Sequence, residues 1–160
     1  VTAPEPICHG PERALLENML DRNRATLVAT ARGLSETDAR RRLVPSLTTP
    51  IGLIKHATVA ERVWFQRVLA GIGEHDCDGP ATPGDVSFLV GDDETLEEVI
   101  TAFERACARS REIAAEYDLE VRRRHWRMGT VDLRWIYLHM IAELARHAGH
   151  GDILREQIDA

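Results

Sequence analysis

Four stretches of roughly twenty residues repeat apolar side chains at helical spacing, each bracketed by prolines, capping side chains or glycines. A chain of 160 residues that spends most of its length this way has room for one core. The expected architecture is a single all-α domain over residues 1–160, a four-helix bundle. The first helix is predicted from about Pro11 to Gly33, with Leu15, Leu16, Met19, Leu27 and Val28 along its apolar stripe. Ser35, with Asp38 three residues on, marks a further short turn of helix. The second helix starts at Thr49 and Pro50, a capping residue followed by a proline, and runs to Gly71. The third runs from about Asp93 to Tyr117, burying Leu96, Val99, Ile100, Phe103 and Ile113, and Asp92, Asp93 and Glu94 complement its dipole. The fourth is predicted from about Thr130 to Ile158.

The connections carry as much information. Residues 72–92 include Gly73, Gly79, Pro80, Pro83 and Gly84, and the stretch is too long for a tight antiparallel turn. We expect this long connection between the second and third helices to cross an end of the bundle, so that the two run parallel. Within it, Val86-Ser-Phe-Leu-Val90 reads as a short extended piece. The link from Asp118 to Thr130 is strongly polar, and its His125 is expected at the surface.

Charge and composition exclude several classes. Hydrophobic residues make up 44% and charged residues 29%, the balance of a soluble globular chain, and the net charge of -6 disfavours nucleic-acid and membrane partners. No apolar run approaches a bilayer span, and the first twelve residues lack the apolar region of a signal peptide, so a cytoplasmic location is expected. Cys8, Cys77 and Cys107 are scattered without a Cys-x-x-Cys, which points to neither a disulfide framework nor a thiolate metal site. Cys107, in a helical stretch, reads as a small core residue. Lys55 is the one lysine among 20 basic residues. Arginine's GC-rich codons make genome composition the plain explanation.

The fourth helix carries two stripes. Leu133, Ile136, Met140, Leu144 and Ala148 face the core, while His139, Glu143, His147 and His150 recur at spacings that keep them on one side. Glu143 and His147 fall at the border of the buried face, and a carboxylate there needs a positive partner. On the second helix, His56 lies among Leu53, Ala60, Val63 and Trp64, on the inward side. Together His56, Glu143 and His147 offer two imidazoles and one carboxylate, the ligand count of a divalent metal site with an open position. The spacing alone is equally what a hydrogen-bonded pair and a core histidine would give. Arg67 and Trp64 are candidates for holding a ligand near this site. His139 and His150 are candidates for supporting or proton-carrying roles in catalysis.

At these residues the chain resembles a family. Residues 51–65, IGLIKHATVAERVWF, and 143–159, ELARHAGHGDILREQID, are similar to the second- and fourth-helix signatures of DinB-like metal-binding bundles. Glu143 stands where many members have histidine, as in mycothiol-dependent maleylpyruvate isomerase, and His150 stands where many have glutamine. The resemblance implies a metal site at His56, Glu143 and His147, with zinc first and nickel, iron or manganese as alternatives. It also implies mycothiol as thiol cosubstrate, a small electrophile as its partner, an actinobacterial source and a possible homodimer. The implied activity is a metal-dependent thiol S-transferase serving detoxification. A thiol-dependent isomerase and a non-catalytic metal- or ligand-binding bundle are the alternatives. The isomerase ranks last, because such relatives often carry a further C-terminal domain.

Overall fold

The computed structural model describes residues 2–160. Helix α1 spans Glu12–Ala31, and a single turn, α2, spans Glu36–Ala39, capped by the Ser35 side chain. Helix α3 spans Pro50–Glu61 and continues without a break as a π-helix over Arg62–Leu69. Helix α4 spans Leu96–Ala114 and α5 spans Leu133–Asp159. The four long helices are those the periodicity predicts. The boundaries differ where local hydrogen bonds decide them. Thr95 and Glu98 form a reciprocal capping box, so α4 begins after Thr95 rather than at Asp93. Asp132 accepts from the Trp135 amide at 2.7 Å, so α5 begins at Leu133 rather than Thr130.

The residues before Asp132 are not a polar link. Strands β1, Arg122–His125, and β2, Gly129–Asp132, pair as an antiparallel hairpin. His125 is buried, 6% exposed, contrary to the surface position expected for it. Its ring is stacked on Trp64 at 4.7 Å, and the flanking arginines hid that packing in the sequence.

Side-chain pairs fix the helix directions. Glu12 meets Arg134, Glu17 meets Tyr137 and Asn23 meets the Ile141 carbonyl, so α1 and α5 run parallel. Asp21 meets Arg111 and Arg32 meets Glu104, so α4 runs antiparallel to α1. Lys55 meets Glu94 just before α4, and further along Arg62 and Arg105 line one hollow, so α3 and α4 are parallel. The long connection therefore exists as expected, but it does not cross an end of the bundle. It runs back along the flank of α3, with Asp78 on Arg62, Ala81 on Arg67 and Ser87 on His56. The stretch 86–90 does not form a strand; Asp85–Phe88 is a 3-10 turn.

Leu20, Leu27, Ile54, Phe65, Phe103 and Met140 are among the fully buried side chains of the core. Met19, placed in the α1 stripe from sequence, is 49% exposed. The buried line instead passes through Leu20, Arg24 and Val28, one turn apart. Arg24 is charged yet buried because its guanidinium grips Glu61 with two bonds, of 2.8 and 2.6 Å, and Asp21 with a third, of 2.8 Å. Glu61 is wholly inaccessible.

Arg24→Met is expected to destabilise the fold by about 3–5 kcal/mol, because Glu61 would be left charged and unpaired. Arg24→Met with Glu61→Leu should recover most of that loss. Urea midpoints of the three proteins measure both effects, and an undisturbed single variant would contradict a structural role for the pair.

Candidate metal centre

Helix α3 brings His56 to the site because Thr49 caps it and accepts from the Gly52 amide at 3.0 Å. Gly52 is needed as glycine. A Cβ there would lie 2.8 Å from Thr49 Oγ1 and 3.0 Å from the Phe88 carbonyl, where the returning connection presses on the helix. That close approach seats Phe88 face to face on the His56 ring, with centroids 4.1 Å apart.

Helix α5 delivers Glu143 and His147 one turn apart. His56 Nε2 lies 3.1 Å and His147 Nε2 3.0 Å from the same oxygen, Glu143 Oε1. One ligand-type atom from each residue lies within 4.8 Å of the others, so the three could hold one metal ion. His147 is 9% exposed, and its Nδ1 is buried with no hydrogen-bond partner. The His147 and His56 contacts hold the Glu143 carboxyl far below the usual carboxylate range, against the opposing effect of burial. The carboxylate is therefore charged at neutral pH.

The protons on His56 follow from its other nitrogen. Ser87 Oγ donates to the Gly84 carbonyl, which can only accept. The one hydroxyl proton is thereby used, so the 2.7 Å contact between Ser87 Oγ and His56 Nδ1 requires Nδ1 to be the donor. With one proton on the ring, His56 would turn its Nε2 lone pair towards the Glu143 oxygen; to donate there it must carry both protons. Two electron-rich atoms 3.1 Å apart call for a cation between them or a second proton on the ring. Gly84 sits at φ 97°, a conformation that favours glycine and lets the turn present its carbonyl to Ser87.

A family model described as mycothiol-S-transferase matches residues 15–160. The chain belongs to the mycothiol S-transferase family. Among curated proteins, none matches. Among the described residues of this family member, no helix is long and apolar enough to cross a membrane.

The other sequence candidates are distributed around the three central residues. His150 is exposed, with its ring edge-on to His147 at 5.4 Å. His139 is half-buried between Trp64 at 4.5 Å and Trp135 at 5.0 Å, the latter nearly parallel to it. Trp64 is buried and also stacks on His125, which stacks on Trp126. Arg67 is engaged elsewhere: it donates to the Ala81 carbonyl, pairs with Glu74 at 3.2 Å and lies over Trp126 at 4.4 Å. Ser87 and Phe88 escaped the sequence reading, since nothing local marks which part of a long connection meets which helix. The slip into π geometry at Arg62 was likewise invisible to a search for 3.6-residue periodicity.

In this mycothiol S-transferase family member, ring-nitrogen NMR on metal-free protein should find His56 Nδ1 protonated. Ser87→Ala should shift that proton towards Nε2, which can then donate to Glu143. An unchanged tautomer would rule out the relay to Gly84.

Burial also depresses the pKa of His125 and of His139 below the ordinary 6.5. The sign is fixed by proton uptake: below about pH 6.5 the unfolded chain binds protons on these rings that the folded chain refuses. Stability should therefore fall as pH drops from about 6.5 towards their folded values. Urea midpoints between pH 7.5 and pH 5 measure this, with metal-free protein to separate it from ion loss.

Proposed function

We propose that this protein is a metal-dependent mycothiol S-transferase in which His56, Glu143 and His147 hold a divalent ion, zinc above nickel, iron or manganese. The observation that carries the reading is the convergence of His56 Nε2 and His147 Nε2 on one Glu143 oxygen, at 3.1 and 3.0 Å. Two imidazoles and a carboxylate suit such an ion, and three protein ligands leave a position open. A bound ion would supply the charge that makes a thiol ionise below its ordinary pKa of about 8.5.

The chain's own residues do the rest. Ser87 fixes which His56 nitrogen faces the site, and the Phe88 ring holds the imidazole plane. Glu143 would offset cationic charge, and its side chain is 20% exposed, so the site is partly sheltered yet open to a substrate. His150, at the exposed edge beside His147, is placed to exchange a proton with solvent. His139 and Trp135, stacked on each other one and two turns before Glu143 on α5, form an aromatic wall with Trp64. The thiol cosubstrate is mycothiol and its partner a small electrophile.

His147→Ala should abolish metal retention and mycothiol conjugation while leaving the helical circular-dichroism signal largely intact, since the core supplies the folding energy. His150→Ala should keep the metal and lower turnover. Elemental analysis and conjugation rates are to be compared for wild type, both variants and metal-stripped wild type. Equal rates with and without metal would exclude this mechanism.

A further inference from the structure

The segment leading into α3 separates two hollows beside the site, both lined by Ser46 and Thr48. One contains Arg42, Asp85 and Phe88, so it carries charge of both signs, and it reaches His56 through the Phe88 stack. The other, of about 280 Å³, is completed by Val44, His150, Ile153 and Leu154. It reaches His147 through the His150 ring, whose centroid lies 5.4 Å from that of His147. Leu154 lies seven residues after His147, which on a helix is nearly the same line two turns on. Ile153 is 59% exposed at the rim. A single surface isoleucine means little. Here it stands with Val44 and Leu154 around a concavity that opens beside the candidate reaction centre.

A transfer reaction brings two substrates to one centre, and these two hollows differ in chemistry. We propose that the apolar hollow of Val44, Ile153 and Leu154 seats the hydrophobic body of the electrophile, so that the preferred electrophiles carry a ring-sized apolar group. This inference rests on the S-transferase reading above. A cavity of about 150 Å³ suffices for benzene, so this one admits a ring with substituents. Leu154 is 3% exposed and forms the floor, and Val44 comes from the opposite wall. His150 stands between floor and metal centre, which puts the reacting carbon of a seated arene on the His147 side. With an aryl chloride, the thiolate sulfur forms a bond to the ring carbon and the carbon–chlorine bond breaks. Chloride leaves with the bonding pair, and the thiol proton passes to solvent.

The test uses metal-loaded protein and mycothiol with two electrophiles, 1-chloro-2,4-dinitrobenzene and the compact iodoacetamide. The readout is the ratio of their kcat/KM values. Ile153→Asp places a charge at the rim of the hollow and should lower that ratio at least about tenfold, since apolar complementarity sets such discrimination. Ile153→Leu should restore it. In parallel, unreactive 1,3-dinitrobenzene is titrated into wild type and Ile153→Asp. In wild type the methyl resonances of Val44, Ile153 and Leu154 should shift and saturate, and in the variant binding should weaken. Conjugation with an unchanged ratio, or arene shifts at other methyls, overturns the inference and leaves the S-transferase reading intact. Saturable binding at these methyls without conjugation of either electrophile supports the hollow as an arene site and overturns the S-transferase reading instead.

Discussion

Helices α3 and α4 run in the same direction, and much of the remaining structure follows from that. A helix of about twenty residues is about 30 Å long, so a chain that ends one helix must travel that far back before starting a parallel neighbour. Residues between Ala70 and Thr95 make the journey along the flank of α3, held by polar contacts at Arg62, Arg67 and His56. The return path is therefore part of the candidate centre. It brings Ser87 to one nitrogen of His56 and Phe88 to its face, and the close contact restricts residue 52 to glycine.

The interior carries charge in two places, with different consequences. Arg24 and Glu61 satisfy one another with two hydrogen bonds inside the core, and Asp21 and Arg111 continue the network to the surface between α1 and α4. That arrangement is complete: each charge has its partner. Around Glu143 the arrangement is incomplete, because two imidazole nitrogens converge on one oxygen while the buried Nδ1 of His147 has no partner. A pair closed on itself ties helices together, whereas three ligand-type side chains around one point could hold a metal ion.

The family match covers residues 15–160, so the whole bundle belongs to the mycothiol S-transferase pattern rather than one motif within it. Within that bundle the hairpin of β1 and β2 adds a buttress. It lays His125 on Trp64, which in turn leans on His139 of α5, so the π-helical end of α3 is packed against α5 by aromatic faces. The site thus has a stacked aromatic wall on one side and the two hollows beside the α3 entry on the other.

The sequence by itself determined the four long helices, the caps at Thr49 of α3 and Ser35 of the one-turn α2, the length of the second connection, and the positions of His56 on one helix and of Glu143 and His147 one turn apart on another. These are properties of periodicity and of hydrogen bonds within a few residues, and they can be read without knowing what lies across the core. The tertiary structure alone decided that Arg24 is buried, that His125 is a stacked core histidine, that α3 slips into π geometry, and that Ser87 and Phe88 meet His56. The packing depends on partners far away in the chain: Glu61 for Arg24 and Trp64 for His125, and Asp78 bonds Arg62 and Gln66 of the π segment. Hydropathy and spacing record a residue's own preference for burial. They do not record the charge or ring that will be waiting for it once the helices pack.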